Sequence, residues 1–136
     1  MSASRIGLDP EFAKKLARFE DALAKQGIEV VLTWGYRSIE QQNKLYAKGR
    51  TAPGNIVTNA YGGYSWHNWG LAADYAFVIN GKVTWNGPWA TFGKIARQCG
   101  LEWGGDWKKM TDRPHVQMTR GKTLAQMRAA AKKRPK

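Results

Sequence analysis

The sequence predicts an α+β fold, a small antiparallel sheet with helices packed on one face and any functional site along the other. Three observations predict it. Apolar residues recur at helical spacing in several separate segments, apolar and polar residues alternate across Ile28 to Trp34, and Asn80-Gly81 joins two strand-like runs with a hairpin signal. No βαβ run and no internal repeat is visible, so a parallel sheet is not expected.

Asp9 and Pro10 form a helix start, an acceptor followed by a fixed φ, and Phe12, Leu16, Phe19 and Leu23 keep helical spacing until Gly27 stops the run. This helix is assigned no chemistry. Ile28, Val30, Leu32 and Trp34 then alternate with Glu29, Val31 and Thr33 as a strand with one face on the core, and Arg37 sits just past its end. Ser38 with Gln41 resembles a capping box, so a second helix runs from Ile39 to Lys48 and Gly49 closes it. Arg50 to Tyr64 holds Pro53, Gly54, Asn55, Gly62 and Gly63 without a period and reads as a loop forming one wall of a site. Tyr61 and Tyr64 within it are equally explained by packing.

A second strand is expected from Leu71 to Val78, followed by the Asn80-Gly81 turn and a partner strand from Lys82 to Trp85. Phe92, Ile95 and Cys99 mark a third helix ending at Gly100, Gly104 to Pro114 is a glycine-bearing loop, and His115 to Met118 is a last short strand. The tail from Arg120 carries seven basic residues and no acidic one, with Leu124 and Met127 suggesting a final helix over about residues 121–134.

A chain of 136 residues fits one domain, 1–136, with a real core and no room for a separate binding module. Lysine and arginine number 22 against 10 acidic residues, a formal charge of +12 that favours anionic polymers or surfaces. Helix-turn-helix, zinc-finger and RNA-binding signatures are absent, and outside the tail the basic residues scatter, so no specific nucleic acid is expected. The lone Cys99 rules out an internal disulfide and is expected to be a small buried apolar residue. No apolar run reaches signal-peptide or membrane-span length, so the chain is expected to be made in the cytoplasm, as a monomer.

Both histidines lie in motifs that include an aspartate: Ser65-Trp66-His67-Asn68-Trp69-Gly70-Leu71-Ala72-Ala73-Asp74 and Asp112-Arg113-Pro114-His115-Val116-Gln117. Two imidazoles and a carboxylate are a catalytic zinc set, three protein ligands with a fourth position for water. For His67 and Asp74 to reach one ion the chain must bend, because a continuous strand would hold them roughly 23 Å apart and a helix about 10 Å apart. Gly70 is the residue able to take the angles of such a bend. Spacing alone leaves another reading open: a histidine packed among tryptophans and an aspartate bonded to backbone.

The set Ser65-x-His67-x-x-Gly70-x-Ala72-x-Asp74, followed by Asp112-Arg113-Pro114-His115-Val116-Gln117, resembles the zinc peptidases that cut peptidoglycan stem peptides. Within that group it is most similar to the L-alanyl-D-glutamate endopeptidases found as bacteriophage endolysins. Gly35-Tyr36-Arg37-Ser38 with Gln41-Gln42, and Gly100-Leu101-Glu102-Trp103-Gly104-Gly105-Asp106-Trp107, resemble further segments of that family in the same order.

The resemblance implies a D-Ala-D-Ala carboxypeptidase/Hedgehog-like fold and one Zn2+ held by His67, Asp74 and His115. It also implies Asp112 as general base, with Glu102 and Asp106 as rivals, and Arg37 steadying an oxyanion or a substrate carboxylate. A structural ion pair between Arg37 and Glu40 is the alternative for that residue. Ser65 contacts substrate or shapes the His67 loop, Gln117 supports substrate or a ligand, and Trp103 is a weaker substrate candidate. The implied partner is a peptidoglycan stem peptide, reached at the cell wall with the help of a holin and without a separate wall-binding domain.

The basic tail is either a solvated face or a segment that meets an anionic outer membrane. A D,D-carboxypeptidase or dipeptidase acting on D-Ala-D-Ala, and a binding-only basic domain, are the competing functions.

Overall fold

A computed structural model describes residues 3–133; Met1, Ser2, the expected helix end at Arg134, Pro135 and Lys136 lie outside the described residues. Four helices and five short strands follow one another as α1 (Pro10–Lys25), β1 (Val30–Trp34), α2 (Ile39–Ala47), β2 (Ala72–Ile79), β3 (Lys82–Thr84), α3 (Trp89–Gln98), β4 (Glu102–Trp103), β5 (His115–Gln117) and α4 (Leu124–Lys133). The α+β architecture is the expected one.

The Asp9 carboxylate accepts from the backbone N–H groups of Glu11 and Phe12, and Pro10 occupies the first turn, so α1 starts where an acceptor and a fixed φ meet. Phe12, Leu16, Phe19 and Leu23 are fully buried along one stripe. They meet Phe92, Ile95 and Ala96 of α3 and the sheet residues Leu32, Ala73, Tyr75, Phe77 and Val116 in one core. Phe19 lies edge-on to both Tyr75 and Phe92, at centroid distances of 5.7 and 5.0 Å.

The sheet order is β1-β2-β5-β4, every pairing antiparallel, with β3 also beside β2. Asn80 (φ 53°) and Gly81 (φ 75°) make the β2–β3 turn with two positive angles, as a two-residue hairpin requires. Side chains alternate across β2, so Ala73, Tyr75 and Phe77 go to the core while Asp74 goes to the opposite face. Cross-strand partners share a face: Asp74 stands opposite Trp34 of β1 and His115 of β5, with the β1–β2 register shifting between Leu32 and Trp34.

α2 carries both halves of its capping box, Gln41 N–H to Ser38 Oγ at 3.0 Å and Ser38 N–H to Gln41 Oε1 at 2.8 Å. Its one buried residue is Gln42, so it adds nothing to the apolar core, and the packing of helices on one face is the work of α1 and α3. β4 was not expected; two residues are too few to show alternation, and its pairing with β5 is what makes it a strand. Cys99 is half-buried at the end of α3 and packs against the edge of the core, which corrects its expected full burial.

α4 begins with a reciprocal pair, Gln126 N–H to Thr123 Oγ1 and Thr123 N–H to Gln126 Oε1. Its thin apolar edge is already in use, since Met127 packs against the core and the Arg128 guanidinium stacks 3.7 Å from the Tyr64 ring. Arg120 ties the preceding turn to Asp9 and Glu11 at 2.9 and 3.0 Å. Entry of that edge into a membrane therefore requires the helix to undock.

Gly70 closes the turn before β2 with φ 70°, and its carbonyl accepts from Asp9 N–H at 2.9 Å. A Cβ here would collide with the Gly7 carbonyl oxygen. Gly70→Ala should therefore lower stability by about 1–3 kcal/mol. Urea unfolding reads the change, and an unmoved midpoint would show that the turn has no need of glycine.

Candidate metal centre

Two backbone devices deliver the site. A single turn of 3-10 helix, Trp66–Trp69, is capped by Ser65, whose Oγ accepts from His67 N–H at 3.2 Å, and it ends at left-handed Gly70. This bend brings His67 over β2. The β2–β5 register places His115 beside Asp74 directly.

Each of His67, Asp74 and His115 offers one ligand atom, and these atoms all lie within 4.8 Å of one another. His67 Nε2 is 3.3 Å from Asp74 Oδ2, His115 Nδ1 is 3.0 Å from Asp74 Oδ1, and the two imidazole centroids are 5.2 Å apart. Both imidazoles are buried, at 4% and 7% exposure, so their orientation is set by packing.

The far nitrogen of each ring decides which tautomer faces the carboxylate. His67 Nδ1 lies 2.8 Å from the Gly35 carbonyl oxygen, an acceptor only, so it carries the proton and leaves the Nε2 lone pair for a cation. His115 Nε2 donates to Gln117 Oε1 at 2.7 Å, which in the neutral ring leaves the Nδ1 lone pair for a cation. One histidine thus presents Nε2 and the other Nδ1 to the same carboxylate. This donor set, two neutral imidazoles and an anion with no fourth protein ligand among the described residues, fits a divalent zinc with an open position.

Burial works against an ionised Asp74, but hydrogen bonds and charge from His115 and His67 overcome it and hold the carboxyl far below the usual range. Burial likewise opposes a charged His115, yet its bonds to Asp74 and Gln117 and the Asp112 charge leave its pKa above the ordinary histidine value. Asp112 is half-exposed, with Oδ2 3.8 Å from His115 Nδ1. Its pKa is raised by burial first and the Asp74 charge second, with the two histidines pulling the other way.

The rivals to Asp112 are occupied elsewhere. Glu102 accepts from Thr119 N–H and Oγ1, while Asp106 takes two bonds from Arg97 at 2.9 and 3.0 Å. Arg37 is buried and does not pair with Glu40, whose carboxylate faces Lys44 at 3.7 Å. Instead its Nη1 donates to Gln42 Oε1 at 2.9 Å and its guanidinium stacks 4.2 Å from the Trp34 ring. Its Nε has no hydrogen-bond partner among the described residues.

Ser65 and Gln117 make the supporting contacts expected of them as alternatives to touching substrate. Ser65 caps the His67 turn, and Gln117 is buried against His115 rather than open to a ligand. Trp103 pairs with Val116 and so turns to the core face, with its ring over Gly93 and Gly105 and Nε1 donating to the Arg113 carbonyl at 2.7 Å. Sequence reasoning gave no role to Asn68, which is buried and donates to the Arg37 carbonyl at 2.9 Å while accepting from Gly63 N–H, or to Gln42. The one available signal was the Ser65-x-x-Asn68 spacing of a capping box.

A histidine–carboxylate–histidine cluster on the face of an antiparallel sheet away from the core could hold a metal ion, the centre a metallopeptidase needs. A family model described as VanY, D-alanyl-D-alanine carboxypeptidase, matches residues 5–100, and the chain belongs to that peptidase family.

The chain is 43% identical over 122 residues to the peptidoglycan L-alanyl-D-glutamate endopeptidase CwlK of Bacillus subtilis (strain 168), covering 82% of this chain and 73% of CwlK. It is 30% identical over 109 residues to the L-alanyl-D-glutamate peptidase of Listeria phage A118, covering 77% of this chain and only 34% of the phage protein. A vancomycin resistance D,D-pentapeptidase VanY from a VanB-type cassette, solved in complex with Zn(II), shares the fold at TM-score 0.64 and 19% identity, over 86% of this chain and 76% of that one.

Two outcomes are expected at the site. Gln117→Ala should leave the fold intact and weaken zinc binding about 10–100-fold, because the His115 tautomer loses its anchor; isothermal titration checks it. Because zinc must displace the His115 proton, affinity should fall about tenfold per pH unit once pH drops below the raised His115 value. A pH-independent affinity would contradict that assignment.

Proposed function

We propose that this chain is a zinc-dependent endopeptidase that hydrolyses the L-Ala–D-Glu bond of the peptidoglycan stem peptide, serving a bacteriophage as an endolysin that acts at the cell wall. The observation that carries this reading is the His67–Asp74–His115 cluster with a half-exposed carboxylate, Asp112, at its rim. The similarity to CwlK favours this scissile bond, and the phage relative favours the lytic role.

One zinc held by the three residues supplies Lewis-acid activation of a water and of the scissile carbonyl. His67 and His115 hold their tautomers through Gly35 and Gln117, so the donor atoms need no rearrangement on binding. Asp112, its pKa raised by burial, takes the proton of the attacking water and delivers it to the leaving D-glutamate amine. Arg37 is fixed between Trp34 and Gln42, and its guanidinium is the donor for an oxyanion or a substrate carboxylate. Ser65, Asn68 and Gln42 act through position only, holding the turn and the guanidinium.

A D,D-carboxypeptidase acting on D-Ala-D-Ala is the second reading, favoured by the description of the family that matches residues 5–100. Mass spectrometry of fragments from defined peptidoglycan separates the two: new N-terminal D-glutamate supports the endopeptidase, and release of D-alanine overturns it. Chelation should abolish turnover and zinc should restore it. Asp112→Asn should keep zinc while losing about 10^2–10^4-fold in turnover, and a fully active variant would remove Asp112 from this role.

A further inference from the structure

Resting on the endopeptidase reading above, we propose that the cleft lined by Trp85, Trp89, Thr111, Asp112, Arg113 and Pro114 is a carbohydrate subsite that seats the muramyl sugar to which the substrate's L-alanine is attached.

The placement follows from the sheet. β1 and β5 lie on opposite edges of β2, and both run past Asp74, Trp34 from one side and His115 from the other. The chain beyond Trp34 leads to Arg37, and the chain before His115 carries Asp112. A substrate crossing the metal cluster therefore has two unlike flanks. On the β1 side, Trp34, Gln41, Lys44, Leu45 and Lys48 line a groove of about 290 Å³, with Arg37 stacked on Trp34. That flank is cationic and suits the peptide beyond the scissile bond, which begins with the free carboxylate of D-glutamate.

On the β5 side lies a cleft of about 520 Å³ that includes Asp112 itself, within the range of small-molecule sites. It offers aromatic faces and a single cation, Arg113, beside the Asp112 carboxylate. Trp89 is immobilised, with its ring 4.3 Å from Phe77 and Nε1 donating to the Trp85 carbonyl at 2.8 Å. Trp85, 54% exposed, stands at the lip of the same cleft as Trp89, so the two indoles border one space. A neutral sugar presents C–H faces to aromatic rings, and hydroxyl and acetamido groups to the Arg113 guanidinium as donor and to the Thr111 hydroxyl as acceptor, whose own proton goes to the Trp107 carbonyl at 2.7 Å.

Substrate chemistry supplies the connection. The L-alanine on the acyl side of the scissile bond is linked through its nitrogen to the lactyl group of muramic acid, so the first sugar stands one residue from the reacting carbonyl. A cleft that shares the general base with the reaction centre is within that reach.

The test compares kcat/KM for N-acetylmuramyl-L-Ala-D-Glu with that for the sugar-free N-acetyl-L-Ala-D-Glu, together with NMR titration of the GlcNAc–MurNAc disaccharide, which has no scissile bond. The wild type should prefer the muramyl substrate. Trp85→Ala should lower that preference about tenfold, Trp85→Phe should retain most of it, and Val83→Ala, a neighbouring exposed change on β3, should leave it unmoved. The disaccharide should shift the Trp85 indole N–H resonance in the wild type. Equal rates on both substrates, an unchanged preference in Trp85→Ala, or a disaccharide that leaves Trp85 unperturbed would each overturn the subsite. Cleavage elsewhere in both substrates overturns the endopeptidase reading instead, while the disaccharide titration still decides whether sugar binds.

Discussion

Everything at the site hangs on one carboxylate held between two imidazoles. Asp74 occupies the middle strand and contacts both, through Oδ2 to His67 and Oδ1 to His115. Left without partners, a carboxylate buried this deeply would resist ionisation. With a ring nitrogen donating to either oxygen it stays charged, and a bound cation would take the place of those two protons while Gly35 and Gln117 keep the far nitrogens protonated. The same arrangement is half-ready for a cation, since replacing the shared contacts by a common ion requires no change of fold.

That carboxylate is placed by sheet pairing rather than by a flexible loop. Antiparallel register puts His115 across from Asp74 on one edge and Trp34 across from it on the other. His67 is the one member that arrives by a turn, and the turn is held at both ends. Gly70 carries the left-handed angle, and Asn68 clamps Gly63 and Ser65 on one side and the Arg37 carbonyl on the other. Arg37 N–H in turn donates to the His67 carbonyl at 3.0 Å, so the guanidinium and the imidazole are positioned by one hydrogen-bonded unit. α1 and α3 supply the apolar backing that keeps the sheet flat against its core.

Much of this was legible in the residues. The Asp9-Pro10 start, the Phe12-to-Leu23 stripe, the Ser38–Gln41 box and the Asn80-Gly81 hairpin are local signals, and each formed where local physics puts it. The gathering of His67, Asp74 and His115 was readable only with the family resemblance, since spacing alone allowed equally a histidine packed among tryptophans and an aspartate bonded to backbone. What stayed hidden depends on distant backbone. Gln42 is anchored on the Ala60 carbonyl and Asn68 on that of Arg37, neither of which leaves a mark in the sequence. The side of the sheet on which Trp103 lies is not legible either, because a two-residue strand shows no alternation and only its pairing with Val116 reveals it. Cys99 falls one residue past the end of α3, where burial fades.

X-ray absorption at the zinc edge of the loaded protein tests the centre most directly. The account predicts one zinc per chain surrounded by nitrogen and oxygen donors at about 2.0–2.1 Å, with an imidazole scattering pattern from two rings and no sulfur. A sulfur shell near about 2.3 Å, or an imidazole signal that persists unchanged in His67→Ala and His115→Ala, would contradict it.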